Sequence, residues 1–393
     1  MIKEIYLDNS ATTKLDPSVM EEAARAAREA YGNPSSLHRK GREGERVLTA
    51  SRKTLADLLG VREGEIIFTS GGTESNNLAI LGIARRYRRR GNHLITTAIE
   101  HSSVLRPIQL LEEEGFEVSY LLPDSKGLIG AREVLEAIKP ETILVSVMHI
   151  NNEVGSRQPI AEISADLKGK KPDLLFHVDA VQSFGKVPLP PGLEGIDALS
   201  ISAHKFHGPR GTGALFLREG VQVKPLLLGG GHERGLRSGT ENTPGIAGMA
   251  LAAKQSFEGM GQKAAELQEM KKRLLTSLKT KHPWIKINGP EIGEKKGAPH
   301  IVNISFPGLQ GEVIVHALEE HGIYVSTGSA CHSGDTGGSH VLQAMRLSPE
   351  EIAGAIRISL SRHTTPEEIE NAIEIIHETI SWLKQLHEKM GKA

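Results

Sequence analysis

Short apolar runs recur along the first part of the chain, and stretches of helical periodicity separate several of them. The runs predict strands at residues 65–69, 93–97, 117–121, 142–147, 174–178, 198–201 and 213–217. Helices are predicted between some of these strands, as at 104–114 and 161–168. Strands that alternate with helices along a chain usually pair into a largely parallel sheet. The pattern therefore predicts an α/β domain.

The two ends of the chain have a different pattern. A short strand is predicted at 5–7, and a helix from about 17 to 30 has Asp16 as its N-cap and proline as its first residue. A long amphipathic helix from about 257 to 282 ends at Pro283, where the pattern changes. Strands near 301–306, 323–326 and 355–360 and a helix at 366–389 follow. Because 393 residues exceed the usual size of one core, we expect a second, smaller α+β domain.

The charge balance argues against nucleic acid and anionic membranes as partners. The chain has 47 basic and 48 acidic residues, a net charge of −1 that creates no field over the molecule. No run of about 18 apolar residues occurs, and the first residues lack a cationic segment followed by an apolar stretch. Cys331 is the single cysteine, so no intramolecular disulfide forms. We expect a cytoplasmic protein with a small-molecule partner.

An arginine run at 85–90 and 17 histidines leave a non-enzymatic alternative, an RNA-binding or metal-binding protein. The run falls in the last turns of a predicted helix, at 77–90, where cations complement the backbone dipole. The histidines are scattered without the spacing of a metal site, so no bound metal is expected.

Lys205 stands where a predicted strand stops. The segment Ser200–Pro209 ends its apolar alternation at this lysine, which histidines flank, and then breaks at glycine and proline. A lysine whose pKa is lowered by its surroundings forms Schiff bases with carbonyl compounds. An ordinary solvated lysine is the alternative interpretation.

A glycine turn between a strand and a helix indicates a phosphate site. Ser70-Gly71-Gly72-Thr73 follows the strand at 65–69, and backbone N–H groups at the start of a helix can face an anion. Ser202 and His204, on either side of Ala203, could complete such a site. The sequence is neither a P-loop nor a dinucleotide fingerprint, and a simple tight turn remains the alternative.

Three more candidates follow predicted strands. Asp179 comes directly after an apolar strand and 26 residues before Lys205, so it could contact the protonated ring nitrogen of pyridoxal phosphate or merely cap a helix. His101 could stack on a cofactor, act as an acid or base, or be a loop histidine. Asn152 offers an amide at the same sheet edge.

Arg357, in the predicted strand near 355–360, is a fourth candidate. Its planar guanidinium group can make two parallel hydrogen bonds to a substrate carboxylate, with a surface ion pair as the alternative.

Cys331 lies in a polar, glycine-rich segment, from Ser326 to Gly338, that is unsuited to a core. An exposed and mobile thiol is therefore expected, and its thiolate would be the reactive form.

Taken together, these segments resemble the cysteine desulfurases of the NifS/IscS type, within the class-V aminotransferases and the fold-type I pyridoxal-phosphate enzymes. The resemblance covers nearly the whole chain and rests on the order and spacing of its motifs. They are 6–9, 67–77, Glu100-His101, 151–153, the segments around Asp179 and Lys205, 229–234, 237–242, 328–331 and Arg357. It implies a large domain, 15–258, with a mainly parallel seven-stranded sheet flanked by helices. It also implies a small α+β domain, 1–14 with 259–393, which carries the cysteine loop at about 324–340.

The resemblance also implies a role for each candidate residue. Lys205 would carry the cofactor as a Schiff base and later move protons, and Cys331 would take the sulfur of L-cysteine as a persulfide, leaving alanine. Asn152 and Arg357 would bind the substrate carboxylate. The implied cofactor residues are Gly72, Thr73, Ser202 and His204 at the phosphate, His101 stacked on the ring, Asp179 at the ring nitrogen, Gln182 at the phenolic oxygen, and Thr240 from the other subunit of a homodimer.

The implied partner is a sulfur-acceptor protein such as an iron–sulfur scaffold. The residues after the cysteine, 332–340, are richer in glycine and histidine than the usual desulfurase loop. Selenocysteine lyases can share Cys-His-Ser at this place, so a selenocysteine lyase is the alternative enzyme. A conventional aminotransferase would have no use for the cysteine loop.

Overall fold

The computed structural model describes residues 4–328 and 338–390 of the chain. Within these residues the strands are β1 (Ile5–Tyr6), β2 (Ile66–Thr69), β3 (His93–Thr97), β4 (Glu117–Leu121), β5 (Thr142–Met148), β6 (Leu175–Asp179), β7 (Ala198–Ser202), β8 (Gly213–Leu217), β9 (Lys286–Asn288), β10 (Ile301–Ser305), β11 (Ile323–Tyr324) and β12 (Ala355–Ser359). The helices are α1 (Pro17–Glu29), α2 (Arg39–Leu59), α3 (Gly72–Tyr87), α4 (Ser102–Glu113), α5 (Ala131–Glu136), α6 (Ile160–Lys170), α7 (Thr243–Phe257), α8 (Met260–Lys281), α9 (Gly311–Glu319), α10 (His340–Ala344), α11 (Pro349–Ala353) and α12 (Pro366–Met390). A 3-10 helix, Ala203–Lys205, follows β7 directly.

The seven predicted strands pair into one sheet, in the order β2-β8-β7-β6-β5-β3-β4. β8 is antiparallel to both of its neighbours, and every other adjacent pair is parallel. The prediction of a mainly parallel seven-stranded sheet is therefore confirmed. Since β2 and β7 are both antiparallel to β8, they run in the same direction. The carboxyl ends of β2, β7, β6, β5, β3 and β4 consequently lie at one edge of the sheet.

Helices cover both faces of this sheet, as predicted. Phe68 and Val145 belong to an apolar layer that also contains residues of α1, α2, α6 and α7. Their neighbours Ile67 and Leu144 point to the opposite layer, with residues of α3 and α4. A sheet buried on both faces needs apolar residues at successive positions, which is why the strands appear in the sequence as continuous apolar runs.

The remaining elements form a second core. β12, β10 and β9 make an antiparallel sheet, and β1 pairs with β11 in parallel. Ile5 and Leu7 pack here with residues of α8, α9 and α12. The N-terminal segment therefore crosses the molecule and is buried among residues from the end of the chain.

The long helix predicted at about 257–282 corresponds to α8, Met260–Lys281. Gly259, with φ of +63°, separates α7 from α8, and this left-handed backbone cannot continue a helix. α7 itself went unpredicted. Ten of its 15 residues are buried, so its sequence shows little contrast between an apolar and a polar face.

The helix predicted at 77–90 begins earlier, at Gly72, and ends at Tyr87. Its first turn is Gly-Thr-Glu-Ser, in which glycine, threonine and serine are weak helix formers, so the sequence concealed the start. Because α3 begins at Gly72, its first free backbone N–H groups lie within the glycine turn itself.

Candidate active site

The predicted site residues meet at the edge of the sheet where the parallel strands end. They surround a cavity of about 510 Å³. This is the edge at which open α/β sheets bind their ligands. Ten of the predicted residues line the cavity: Gly72, Thr73, His101, Asn152, Asp179, Gln182, Ser202, His204, Lys205 and Arg357.

The glycine turn after β2 forms one end of the cavity. Gly71 has φ of +154°, which favours glycine. A Cβ placed on Gly72 would lie 2.7 Å from Cγ2 of Val181, so no side chain fits there. The turn is thus packed against the segment after β6, with the N–H groups of the first turn of α3 available to an anion. Thr73 and Ser202 add hydroxyl groups to this end of the cavity.

Lys205 enters the cavity from the 3-10 helix after β7. Its Nζ donates hydrogen bonds to the carbonyl oxygens of Ser10 and Ala11, at 2.5 and 2.8 Å. The preceding His204 has its Nδ1 3.1 Å from Oγ1 of Thr12. Burial, together with the charge of Lys205, lowers the pKa of His204 to about 4, so its imidazole is neutral near pH 7. The segment after β1 therefore holds both side chains.

Asp179 is the last residue of β6, and a chain of hydrogen bonds holds its carboxylate. Asn76 Nδ2 donates to Oδ2 of Asp179 and the backbone N–H of Val181 to Oδ1, at 2.8 and 2.9 Å. The same Asn76 nitrogen donates to Oγ of Ser103, also at 2.8 Å. A helix-cap function alone is thus the wrong interpretation of Asp179, because its carboxylate also receives a bond from α3 and lines the cavity.

His101 is fixed by Ser103, which lies at the start of α4. The backbone N–H of Ser103 donates to Nδ1 of His101 at 3.1 Å, and its Oγ lies 2.8 Å from the same atom. Because Nδ1 accepts from the amide, Nε2 carries the proton of the neutral ring. His101 is thereby connected to Asp179 through two intervening side chains, Ser103 and Asn76.

Gln182 contacts the carbonyl oxygen that also binds the lysine. Its Nε2 donates to the oxygen of Ser10 at 2.9 Å, and its Oε1 accepts from Nζ of Lys186 at 3.4 Å. Burial, followed by the charge of Lys205, lowers the pKa of Lys186 to about 7. A second amine thus lies next to the cofactor residues proposed from the sequence.

Arg357 and Asn152 lie at the other end of the cavity. Nη2 of Arg357 donates to Oδ1 of Asp8 at 2.7 Å and Nη1 donates to the backbone oxygen of Asn152 at 3.1 Å. Nε is buried and has no hydrogen-bond partner among the described residues. With the arginine 4% exposed, an ordinary surface ion pair is excluded, and a guanidinium edge remains for a further acceptor.

Two predicted residues are not placed in the cavity. Thr240 is exposed and does not line it. Cys331 lies outside the described residues. Gly328, the last described residue before it, does line the cavity. The described chain therefore reaches the cavity three residues before the cysteine.

Several residues that shape the cavity were not predicted as site residues. Asn76 and Ser103 position Asp179 and His101, Ser10 receives Lys205 and Gln182, and Asp8 pairs with Arg357. Of these residues, Asn76 was the one that the sequence could have indicated. It lies in a polar segment next to the glycine turn, and an amide buried there needs hydrogen-bond partners. The contacts of Asp8 and Ser10 with residues 172 to 349 positions away have no sequence signal.

The arginine run does not form a free basic patch. Arg85 pairs with Glu114, Arg90 pairs with Asp173, and Arg86 donates to Gln222. These contacts attach the end of α3 to neighbouring segments, as expected for an ordinary helix end.

No helix in residues 4–328 and 338–390 combines the length and the apolar character needed to cross a membrane. The same residues contain no group of three or more potential metal ligands.

The groups around the cavity fit pyridoxal phosphate. The glycine turn, Thr73, Ser202 and His204 supply donors for a phosphate, and the absent Cβ of Gly72 lets the backbone come close. Asp179 offers a buried carboxylate, 5% exposed, for a protonated ring nitrogen. Lys205 offers an amine for the aldehyde. Three chemically different requirements are thus met in one cavity.

Comparison with known proteins gives the class of the chain. The model of the family described as aminotransferase class-V matches residues 5–372, and the chain belongs to that family. Within it, the chain is a member of the NifS/IscS-type cysteine desulfurases, which confirms the resemblance inferred from its motifs.

Three relatives illustrate the similarity. "Cysteine desulfurase IscS" of Clostridium botulinum is 42% identical over 386 residues, which are 98% of this chain and 96% of that protein. A solved structure described as a NifS-like protein is 39% identical, with a TM-score of 0.90, and the match covers 97% of this chain and 100% of that chain. A structure described as SspA in complex with cysteine is 34% identical, with a TM-score of 0.79 and coverage of 92% and 100%.

Proposed function

We propose that this chain is a pyridoxal-phosphate-dependent cysteine desulfurase, which removes sulfur from L-cysteine, leaves L-alanine and carries the sulfur as a persulfide on Cys331. One observation carries the proposal. Lys205, Asp179 and the glycine turn share a cavity with the buried fork of Arg357, so groups for the cofactor and for a substrate carboxylate face the same space. Curated relatives with the desulfurase name and the cysteine complex of SspA support cysteine, and do not favour selenocysteine, as substrate.

The cofactor residues are assigned as follows. Asp179 accepts a hydrogen bond from the ring nitrogen, His101 stacks on the ring and Gln182 reaches the phenolic oxygen. Gly72, Thr73, Ser202 and His204 hold the phosphate. When bound, the cofactor supplies a sink for the electrons of bonds broken in the substrate. Asn76 holds the carboxylate of Asp179 and, through Ser103, fixes its position relative to the ring of His101.

Lys205 would hold the cofactor through its aldehyde group and would later move protons on the substrate. In the structure its amine is held by two backbone carbonyl groups, at Ser10 and Ala11. These accept hydrogen bonds from either protonation state of an amine, so they can hold Lys205 whenever it is free of the aldehyde. Lys205 thus has a defined position from which to deliver a proton to the substrate carbons.

Arg357 and Asn152 bind the carboxylate of L-cysteine. The unpaired Nε of Arg357 and the side chain of Asn152 provide donors at one end of the cavity. Asp8 already engages Nη2, which fixes the plane of the guanidinium before substrate arrives.

Cys331 takes the sulfur. Its thiolate attacks the substrate sulfur, the bond between that sulfur and the β-carbon breaks, and its electron pair stays with the carbon, which is then protonated. One cysteine and one thiol give one alanine and one persulfide, so the reaction needs no external oxidant. The persulfide sulfur passes to an acceptor protein, such as a scaffold for iron–sulfur clusters.

We further propose the organisation of the protein. The large domain comprises 15–258, and the small domain comprises 1–14 and 259–393, a division supported by two separate apolar layers on the sheet and a distinct core around Ile304. The protein acts in the cytoplasm as a homodimer. The exposed position of Thr240 suits a residue that completes the phosphate site of the second subunit.

The test is a product and spectral assay on the purified protein. Protein loaded with pyridoxal phosphate should absorb in the visible range and should convert L-cysteine to L-alanine with one persulfide on Cys331. Cys331→Ser should keep the absorbance and form no persulfide or sulfide. Full turnover by this variant would remove Cys331 from the reaction, and a protein that takes up no pyridoxal phosphate would refute the function as a whole.

A further inference from the structure

Hydrogen bonds from two sides hold the turn after β5, which contains Asn151 and Asn152. Oδ1 of Asn151 accepts from the backbone N–H groups of Glu153 and Val154, both at 2.9 Å, and its Nδ2 donates to the oxygen of Ile99. Arg357 binds the backbone oxygen of Asn152. The turn is therefore held from both sides, with Asn152 lining the cavity.

Glu153, the next residue, has its carboxylate buried away from solvent, 3% exposed. Oγ of Ser339 donates to Oε2 of Glu153 at 2.5 Å. Gly328 lies close to Oε2 of Glu153: a Cβ added to this glycine would be 3.4 Å from that oxygen. Ser339 and Gly328 are the described residues near the two ends of the segment that contains Cys331.

Ser339 makes two hydrogen bonds with the same oxygen. Its Oγ caps α10 and accepts from the backbone N–H of Leu342 at 3.1 Å. A serine hydroxyl has one hydrogen and two acceptor lone pairs, so it can accept from Leu342 and donate to Oε2 of Glu153 at the same time. Ser339 therefore connects the start of α10 to Glu153.

We propose that Glu153 is a positioning residue that attaches Ser339, just after the cysteine segment, to the turn carrying Asn152, close to Gly328 on the other side of that segment. This inference rests on the proposed function. Glu153 touches neither cofactor nor substrate in this assignment. It fixes Ser339 relative to the substrate carboxylate site at Asn152, so it acts on sulfur transfer and not on substrate binding.

The attachment predicts a separation of two measurable steps. Loss of the Glu153 carboxylate should leave pyridoxal-phosphate absorbance and the apparent Kd for L-cysteine within about twofold of wild type. The single-turnover rate of persulfide formation should fall roughly tenfold, as expected when a buried hydrogen bond is lost and its donor is left unsatisfied. Glu153→Gln keeps an acceptor oxygen and should recover part of the rate that Glu153→Ala loses.

The experiment compares four variants of the loaded, full-length protein. Glu153→Ala and Glu153→Gln remove or weaken the anchor, and Ser339→Ala removes it from the other side. Ser348→Ala is the matched control, since Ser348 caps the five-residue helix α11 as Ser339 caps α10 but does not contact Glu153. Cysteine binding is followed by the change in absorbance, and persulfide by mass spectrometry after rapid quenching.

Hydrogen exchange provides a readout that does not depend on activity. Exchange of backbone amides at 326–328 and 338–344 should be faster in Glu153→Ala and Ser339→Ala than in wild type, and unchanged there in Ser348→Ala. This measurement also distinguishes variants that fold normally from those that do not, since exchange in β5 and β6 should stay slow.

Three outcomes would overturn the proposal. Cysteine binding that weakens as much as the persulfide rate would place Glu153 in the substrate site. An unchanged persulfide rate with faster exchange would make the contact purely structural, and unchanged exchange would show that it anchors nothing. If wild type itself forms no persulfide, the proposed function fails, while the exchange experiment still decides whether Glu153 anchors Ser339.

Discussion

At Gly72 the space around a single atom decides whether the cavity can have its shape. Val181, from the segment after β6, and Ser202, at the end of β7, lie next to it, and the distance of 2.7 Å from an added Cβ to Cγ2 of Val181 leaves no room for a methyl group. Valine is branched at Cβ and has few rotamers, so it cannot easily turn away. The glycine is therefore required by its neighbours and not by its own backbone angle, which is ordinary for a helix start.

Gly72→Ala should consequently weaken pyridoxal phosphate binding about tenfold or more and destabilise the protein by roughly 1–3 kcal/mol, the usual range for overpacking. Gly169→Ala is the matched control. Nothing lies within 4 Å of its added Cβ, and it is helical, so a small gain in stability of about 0.5–1 kcal/mol is expected. Urea unfolding and titration with the cofactor measure the two effects. Wild-type cofactor affinity in Gly72→Ala would show that the turn does not hold the phosphate.

Histidines illustrate how far sequence alone can determine a residue's role. His101 and His177 both lie near a strand end in the sequence. His177 is inside β6, with ring nitrogens 2.8 and 3.0 Å from hydroxyl groups of Ser146 and Ser200, and burial lowers its pKa to about 3. It is a neutral bridge within the sheet. The predicted strands already separate the two residues, because 174–178 contains His177 and 93–97 ends before His101, but the partners of each ring are known only from the structure.

At the level of elements, Glu100 joins the ends of two parallel strands. Its Oε1 accepts from Oγ1 of Thr97, at the end of β3, and from the backbone N–H of Met148, at the end of β5. Its Oε2 is buried without a hydrogen-bond partner among the described residues. Burial raises the pKa of this carboxyl from 4.5 to about 8, so the group is mainly protonated at neutral pH.

This shifted pKa predicts a pH dependence of stability. In the folded protein Glu100 keeps its proton up to about pH 8, whereas in the unfolded chain it loses it above 4.5. The unfolded state binds fewer protons in this window, so the free energy of unfolding falls as pH rises from 4.5 to 8, by up to about 1.4 kcal/mol per unit. Glu100→Gln preserves the acceptor oxygen and should remove this contribution.

The measurement is denaturant unfolding of wild type, Glu100→Gln and the exposed control Glu113→Gln at several values of pH. The stability of Glu100→Gln relative to wild type should increase steadily from pH 5 to pH 8, and that of the control should stay level. If the difference in stability between Glu100→Gln and wild type does not change with pH, the pKa of Glu100 in the folded protein is its ordinary value.

The elements themselves were predictable to different degrees. The buried strands β3 and β8 were predicted at their exact bounds, because a strand covered on both faces has no charged residues to obscure it. α1 was predicted with its cap, since Asp16 accepts from the N–H of Ser18 as an N-cap should. α7 was not, because a helix buried on most sides has no polar face to reveal its period.

At the scale of the whole molecule, the substrate end of the cavity is assembled from distant parts of the chain. Asp8 belongs to the segment after β1, Asn152 follows β5 and Arg357 lies in β12. The pairing of β1 with β11 and the contact of Asp8 with Ser359 carry the N-terminal segment to β12. The two cores must therefore be in place together before a carboxylate site exists.

Arg357→Lys tests this arrangement. Lysine keeps the charge but has a single ammonium group, so it cannot contact Asp8, Asn152 and a substrate carboxylate with the planar fork of arginine. The KM for L-cysteine should rise about tenfold or more, while cofactor absorbance stays at the wild-type level. Arg132→Lys, at an exposed ion pair with Glu136, is the control and should change neither quantity. An unchanged KM in Arg357→Lys would remove Arg357 from the carboxylate site.

The sequence by itself determined the class of the sheet, because strand periodicity, apolar runs and βα order are local properties of the chain. It also contained the ordered motifs that identify the family, and ten of its twelve predicted site residues line one cavity. The tertiary structure alone decided how these side chains are held. Asn76 with Asp179, Ser10 with Lys205, Asp8 with Arg357 and Ser339 with Glu153 are pairs whose partners lie 103 to 349 residues apart. Such contacts arise from the packing of whole elements, and no local pattern in either partner specifies the other.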